Sequence, residues 1–172
     1  MTYGCGSNSD CSSQLSRLER VLRRARPADA DAIAAVLTAA RAEQAFIPLL
    51  HTPEDDRRFV TERMLPANEV WVVDEAGEVV GFASFGHDRV GHLYVAPRAQ
   101  GSGIGRVLLA KVKERRPDGF TLWTHQPNAP ARTFYEREGL ATVEFTDGSA
   151  NQEKVPDVRY EWRPRGRGAH GR

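Results

Sequence analysis

A glycine-rich segment has the composition and the placement of a phosphate-binding loop. Gly101, Gly103 and Gly105 follow the strand-like run LYV and lead into the apolar-periodic run IGRVLL, which begins at Ile104. Glycine permits backbone conformations closed to other residues and a close approach to a ligand, while free N–H groups at a helix start bind phosphate. The segment therefore predicts a pyrophosphate-binding loop at a helix N-terminus, with Arg98 and Arg106 flanking it.

The spacing of these glycines excludes two common phosphate motifs. A Walker loop requires Gly-Lys-Ser/Thr, and no Lys follows the glycines. A dinucleotide fingerprint requires G-x-G-x-x-G/A, but its last position falls on Arg106 or Leu108, depending on which glycine begins the count. The pattern that fits is Q/R-x-x-G-x-G/A, filled by Gln100, Gly103 and Gly105.

A second cluster lies downstream, in the run NAPARTFYEREGL that begins at Asn128. On a helix, Ala131, Phe134 and Tyr135 share a face, because residues three and four positions apart lie side by side. This spacing predicts that Phe134 packs inward while Tyr135 projects toward a bound ligand.

The two clusters together resemble the GNAT superfamily of acyl-CoA-dependent N-acyltransferases. The resemblance covers the chain from about Val21 to Trp162. The run from Asn128 matches the family pattern N-x-x-A-x-x-F-Y-x-x-x-G-F, with Leu140 in place of Phe. The resemblance implies an α/β (α+β) fold: one GNAT-type domain with a mixed, mostly antiparallel central sheet, splayed central strands and about four flanking helices. It also implies transfer of an acetyl or other short acyl group from acetyl-CoA (coenzyme A) to a primary amine by direct attack, with no metal ion.

The resemblance assigns roles to residues of both clusters. The backbone of Leu93 and Val95 would pair with the pantetheine arm, and the loop amides would hold the pyrophosphate. Tyr135 would be the general acid for the departing thiolate, since phenol and thiol pKa values of about 10 and about 8.5 are close enough for easy transfer. The predicted cofactor contacts are Leu93, Tyr94, Val95, Gln100, Gly101, Ser102, Gly103, Ile104, Gly105, Arg106, Asn128 and Tyr135.

The base that accepts the proton of the attacking amine is less well defined. His92 lies on the strand expected to border the acyl group, and an imidazole pKa near ~6.5 suits the task. Strand alternation puts His92 and Leu93 on opposite faces, and which face meets the substrate stays open. Glu69, His51, Asp88 and a water relay are the alternatives.

Two loops are expected to border the acceptor amine. Residues 46–51 form an apolar connection, and the polar loop before the last strand carries Asn151, which suits a cationic acceptor. A small-molecule amine is the predicted acceptor, with a peptide N-terminus or a lysine side chain as the alternative. The predicted substrate contacts are Phe46, His51, Glu153 and Asp157.

Composition excludes several other classes of protein. The 172 residues suit one domain, and no apolar run approaches the ~20 residues of a membrane-spanning helix. With 24 basic and 23 acidic residues the net charge is +1, so no overall field favours nucleic acid. The first residues lack a signal-peptide pattern. We therefore expect a cytoplasmic enzyme without nucleic-acid or membrane partners and, by the resemblance, one capable of forming a homodimer. A catalytically silent CoA-binding sensor is the alternative, against which Tyr135 counts.

The elements that position these residues are expected in the order βααβββαβαββ. Predicted strands span residues 21–26, 69–74, 79–86, 90–95, 120–124, 140–145 and 158–162, and predicted helices span residues 28–42, 52–65, 103–115 and 129–137. Asp29 is predicted to cap the first helix and Thr52 the second, with Pro53 in its first turn. The residues expected to face inward from the third helix are Ile104, Val107, Leu108 and Val112.

The domain itself is predicted to span residues 20–163. Residues 1–19 are rich in Ser and Gly, contain Cys5 and Cys11, and predict a disordered leader. Residues 164–172 are basic and Gly-rich, which predicts a flexible tail.

Overall fold

The computed structural model describes residues 20–164. Its strands are β1 (Arg20–Arg24), β2 (Glu69–Glu75), β3 (Glu78–Phe85), β4 (Arg89–Val95), β5 (Phe120–His125), β6 (Ala141–Phe145) and β7 (Asp157–Trp162). Its helices are α1 (Ala30–Ala42), α2 (Pro53–Phe59), α3 (Leu65–Ala67), α4 (Ile104–Arg115) and α5 (Ala129–Arg137). A π-helical turn, Val60–Met64, joins α2 to α3.

The strands form one sheet in the order β1-β2-β3-β4-β5-β7-β6. Neighbouring strands are antiparallel except β4 and β5, which run parallel. The parallel pair is short, because only Arg89 with Thr121 and Val90 with Leu122 are in register before the two strands diverge. The predicted fold class, a mostly antiparallel sheet with splayed central strands and flanking helices, is confirmed.

Helices pack on both faces of this sheet. The buried side chains of α1 include Ile33, Val36 and Leu37, as the periodicity predicts. On the opposite face, α4 lies so close to β3 that a Cβ on Gly81 would be 2.8 Å from Ile104 Cγ2. A glycine at this position of β3 therefore lets the helix and the sheet meet at short range.

The start of α2 follows the sequence prediction closely. The hydroxyl of Thr52 accepts a hydrogen bond from the Asp55 backbone N–H at 3.2 Å, and the Asp55 carboxylate accepts from the Thr52 backbone N–H at 3.0 Å. Pro53 occupies the first turn, where its missing N–H costs nothing. The reciprocal pair fixes where this helix begins.

The first helix begins differently from the prediction. The strand predicted over residues 21–26 ends at Arg24, and a 3-10 turn, Pro27–Asp29, precedes α1. The predicted capping role of Asp29 is wrong, because its carboxylate binds the Arg23 guanidinium at 2.8 Å and the Arg26 backbone N–H at 2.7 Å instead. The competing ion pair holds the carboxylate away from the helix amides.

The predicted inward position of Val107 on α4 is also wrong. Val107 is exposed, whereas Ile104, Leu108 and Leu109 are buried together with Val112. At about 100° per residue, the centre of this buried face lies more than 100° from Val107.

Several predictions fall outside the described residues. These are the leader at residues 1–19 with its two cysteines, and almost all of the predicted tail. Within residues 20–164, no helix is long and apolar enough to cross a membrane. The same residues contain no cluster of three His, Cys, Asp or Glu side chains able to hold a metal ion.

Candidate active site

The divergence of β4 from β5 opens a cleft of about 1350 Å³. In the β3–β4 ladder Phe85 pairs with Val90 and Ser84 pairs with His92, so Gly91 is an extra residue on β4. An extra residue of this kind bends a strand and increases its twist. The bulge therefore turns β4 away from β5 directly after their last common pair.

The edge of β4 that borders the cleft offers unpaired backbone groups. The Ala96 N–H donates to the Val80 carbonyl at 2.8 Å, which fixes the side of β4 that is bonded to β3. Because backbone groups alternate along a strand, Tyr94 is bonded toward β3, and the N–H and C=O of Leu93 and Val95 point toward the cleft. The Val95 carbonyl accepts a long hydrogen bond from Gln100 Nε2 at 3.4 Å, and an extended polar ligand can supply partners for the other groups.

The glycine loop continues from this strand edge into α4. Gly101 and Gly103 have φ angles of 74° and 87°, in the left-handed region that favours glycine. The Val107 N–H bonds to the Gly103 carbonyl at 3.1 Å, so the preceding amides of the first turn have no intrahelical partner. A Cβ on Gly105 would lie 3.4 Å from the Phe134 ring. The loop thus presents backbone N–H groups and the positive end of the helix dipole to the cleft.

The side chains around the loop are engaged with the protein. Arg106 pairs with Glu138 at 2.8 Å, and Arg98 pairs with Glu78. Gln100 Nε2 donates to Glu43 Oε2 at 3.1 Å. Ion pairing of both flanking arginines leaves the backbone as the main anion-binding feature of the loop.

Tyr135 lines the cleft and is only 8% exposed. Its ring lies 5.3 Å from that of Phe134 and 5.7 Å from that of Tyr160. Burial, reinforced by Tyr94 and Tyr160, raises the pKa of Tyr135 well above the ordinary phenol value. The phenol is therefore protonated at neutral pH and is available as a proton donor. Phe134 packs against the core, as predicted, but Tyr135, which lines the cleft, is the more buried of the two.

Asn128 joins the cleft to the start of α5. Its side-chain oxygen accepts a hydrogen bond from the Ala131 backbone N–H at 3.2 Å, which caps the helix. The residue lines the cleft. Its amide therefore has a structural role that the sequence analysis did not assign to it.

His92 lies on the face of the sheet opposite α4. Its ring is 5.4 Å from that of Phe59 in α2, and its Nδ1 is buried without a hydrogen-bond partner among the described residues. Burial, followed by the charges of Arg41 and Arg89, lowers the pKa of His92 to about 4. The imidazole is thus uncharged at neutral pH and lines the cleft on the side of α1 and α2.

Three further cleft residues were missed in the sequence analysis. His125 ends β5, its ring lies 6.0 Å from that of Phe46, and its Nδ1 is also buried without a partner. Arg41 and Arg89 line the same region. The signal for His125 was its position at the carboxyl end of a strand next to the predicted splay, only three residues before Asn128.

Most of the predicted site residues lie along this one cleft, but several do not. Ser102 and His51 do not line it, which departs from their predicted roles as cofactor and substrate contacts. Of the alternative bases, Glu69 is bound by Trp71 and Arg115 outside the cleft, and Asp88 lies by a separate cavity. The predicted residues that do line the cleft are Phe46, His92, Leu93, Tyr94, Val95, Gln100, Gly101, Gly103, Ile104, Gly105, Arg106, Asn128, Tyr135, Glu153 and Asp157.

The family model of the GNAT acetyltransferase domain matches residues 66–139. This segment contains the divergent strand pair, the glycine loop and α5. Residues 66–139 are thus those of a GNAT acetyltransferase domain. The resemblance inferred from the two motifs is therefore confirmed.

Individual relatives agree with this GNAT assignment. The peptidyl-lysine N-acetyltransferase YiaC of Escherichia coli (strain K12) is 35% identical over 86 residues, a match that covers 49% of this chain and 58% of YiaC. The chain therefore matches little more than half the length of that relative. A GCN5-related N-acetyltransferase from Rhodopseudomonas palustris has the same fold, with a TM-score of 0.70 at 21% identity over 84% of this chain and 95% of its own. YncA from Salmonella typhimurium, solved with its cofactor acetyl-CoA, gives a TM-score of 0.66 at 22% identity over 87% and 96% of the two chains.

Proposed function

We propose that this GNAT member transfers an acetyl or other short acyl group from acetyl-CoA to the primary amine of a small molecule. The observation that carries the proposal is the continuous path from the unpaired edge of β4 into the amide-rich start of α4. An extended amide-bearing arm suits the strand edge, and a pyrophosphate suits the loop. Acetyl-CoA, which carries both groups on one molecule, also supplies an acyl group activated as a thioester.

Residues on both walls of the cleft align the substrates and transfer protons. The backbone of Leu93 and Val95 aligns the arm, so that the acyl group lies near the apex where β4 meets β5. The amine nitrogen forms a bond to the acyl carbon while the carbon–sulfur bond breaks. Tyr135 donates its proton to the departing sulfur, which completes the exchange on that side.

The proton released by the amine requires an acceptor on the other side. His92 is uncharged and lines the cleft, so its imidazole has a lone pair available. His125 lies on the β5 wall, and its buried Nδ1 has no hydrogen-bond partner within residues 20–164. We propose His92 as the acceptor, with His125 on the opposite wall as the alternative.

One observation favours a protein acceptor as the second candidate. The connection between α1 and α2, which borders the cleft at Phe46, exposes Leu49 by 80% and Leu50 by 45%. Exposed apolar side chains beside a reaction site suit a peptide chain. The relation to YiaC, named as a peptidyl-lysine N-acetyltransferase, points the same way.

Thermal unfolding with and without acetyl-CoA tests the cofactor. At a concentration of 100 times Kd, binding adds about 2.7 kcal/mol to the free energy of unfolding, which raises Tm by roughly 5–10 °C for a domain of this size. NAD serves as the control, because it has a pyrophosphate but no pantetheine arm. An unchanged Tm with saturating acetyl-CoA would contradict the proposal.

A further inference from the structure

The acceptor end of the cleft has a cationic wall, formed by Arg41 of α1 and Arg89 of β4. Both side chains line the cleft, and their charges add to the effect of burial in lowering the pKa of His92. Two guanidinium groups therefore border a half-buried imidazole, which favours an anion at this end of the cleft.

Arg41 is held in place from behind by a buried carboxylate. Asp56 is only 3% exposed, and its Oδ1 accepts from Arg41 Nη1 at 2.7 Å. Its Oδ2 accepts from the Thr38 hydroxyl at 2.7 Å. Asp56 therefore fixes one edge of the guanidinium, while Nε and Nη2 of Arg41 have no hydrogen bond to a described residue.

Arg89 is exposed, and its side chain makes no hydrogen bond or ion pair with the residues that the structure describes. The arginines at the other end of the cleft differ, because Arg98 and Arg106 are each paired with a glutamate. Arg89 is thus available for an anionic ligand, and Arg41 can add to its binding through Nε and Nη2 while Asp56 holds Nη1.

The two ends of the cleft are well separated. Arg89 begins β4 and Val95 ends it, and six residue steps of a strand span roughly 20 Å. At the loop end of the cleft, Glu43, which follows α1, accepts a hydrogen bond from Gln100 and adds a negative charge. A pyrophosphate at the loop would therefore lie far from Arg89, whose ligand must be a different group.

The wall on the opposite side of the acceptor region is acidic. Asp157 lines the cleft and accepts from the Thr146 hydroxyl and from Asn151 Nδ2 at 3.0 Å. Glu153 also lines it. An amine would therefore match the charge of this acidic wall, and an anion would match the charge of the wall that carries Arg41.

We propose that the acceptor is a small amine that also carries a carboxylate, and that Arg41 and Arg89 bind this carboxylate. The inference rests on the proposed acetyl transfer and names the class of its substrate. Guanidinium groups match carboxylate oxygens in geometry as well as in charge. The bound anion would also offset the charges of Arg41 and Arg89, which contribute after burial to the low basicity of His92.

Acetyl transfer to matched pairs of amines tests this assignment. The twenty common L-amino acids and their carboxamides form such a panel, because each pair differs only in the carboxylate. We expect the native protein to prefer the carboxylate member of its best pair by about tenfold or more in kcat/KM, measured by thiol release. Arg89→Gln should bring this ratio close to one, mainly by raising KM for the carboxylate.

Arg63→Gln is the matched control. Arg63 is an exposed arginine of the π-helical turn Val60–Met64, and it does not line the cleft. The variant should keep the native ratio. If no panel member is acetylated, the same pairs are compared as ligands of CoA-loaded protein by thermal shift, where only carboxylate members should raise Tm. Equal kcat/KM or equal shifts for both members, or an Arg89→Gln ratio like the native one, would overturn the inference.

The two proposals fail in different ways. Absence of any acetyl-CoA shift removes the proposed function, and the substrate class with it. The proposed substrate class alone is refuted if acetyl-CoA binds normally and the protein acetylates carboxamides. Acetylation of lysine peptides regardless of nearby carboxylates would refute it in the same way.

Discussion

At the scale of single residues, the proposed chemistry depends on Tyr135, a phenol that lines the cleft and is buried against Tyr160. Tyr135 was found from its spacing to Phe134 and from the glycine loop upstream, both of which are local patterns. That Tyr135 would be the more buried residue depends on packing against Tyr160, which comes from another element. Arg41 and Arg89 gave no local signal, because their shared position at one cleft exists only in the folded chain.

Replacement of Tyr135 by Phe separates proton donation from packing. The variant keeps the ring contacts and loses only the hydroxyl, so we expect kcat to fall by about 100-fold while acetyl-CoA binding stays within twofold or so. Steady-state thiol release and thermal shift measure the two quantities.

Tyr160→Phe is the matched control for that experiment. Tyr160 is fully buried against Tyr135, donates its hydroxyl to Glu136 at 2.8 Å and does not line the cleft. The control should lose stability with little change in kcat. A native kcat in Tyr135→Phe would remove the residue from its proposed role.

At the scale of elements, patterns of period 2 and 3.6 predicted the order of strands and helices and most bounds within two residues. The departures have physical causes outside those patterns. Asp29 binds the Arg23 side chain of β1 instead of the amides of α1. The π-helical turn Val60–Met64 interrupts a helix in which no glycine marks the interruption. Gly91 carries no turn signal, so the bulge it forms became visible only from the register of β3 and β4.

The glycine loop offers a test with a closely matched control. Gly103 and Gly77 both have a φ of 87°, but Gly77 lies in the β2–β3 hairpin turn, far from the cleft in sequence and outside its lining. Alanine at either position forces the same strained backbone and should cost about 1 kcal/mol in the free energy of unfolding. Only Gly103→Ala should also weaken acetyl-CoA binding, by about tenfold, since it displaces the loop amides.

Urea unfolding and calorimetric titration measure the two effects. A Gly103→Ala protein that binds acetyl-CoA as tightly as Gly77→Ala would show that the loop amides do not hold the cofactor.

At the scale of the whole molecule, the cleft is a seam between two parts of one sheet. Strands β1 to β4 form one part and β5 to β7 the other, with two residue pairs between them. The family resemblance carried this splay into the sequence-based prediction, whereas strand patterns alone do not show where pairing stops. The acidic and cationic walls likewise depend on how the two parts face each other.

Amide hydrogen exchange reports on this seam directly. The N–H groups of Leu93 and Val95 point into the cleft, so acetyl-CoA should slow their exchange by about tenfold or more through new hydrogen bonds. The Tyr94 N–H already faces β3 and serves as the internal control. NMR measures the exchange rates. Equal slowing at all three positions would indicate that acetyl-CoA stabilises the whole protein rather than pairing with the edge of β4.

The two residue pairs between β4 and β5 also bear on how the chain can be divided. The turn Pro117–Gly119 separates α4 from β5, so a cut there would leave one fragment with β1 to β4 and α4 and another with α5 and β5 to β7. Few backbone bonds would hold these fragments together. A ligand that contacts both walls of the cleft would then hold the two fragments together. The fold is therefore a suitable starting point for a split-protein reporter of its own cofactor.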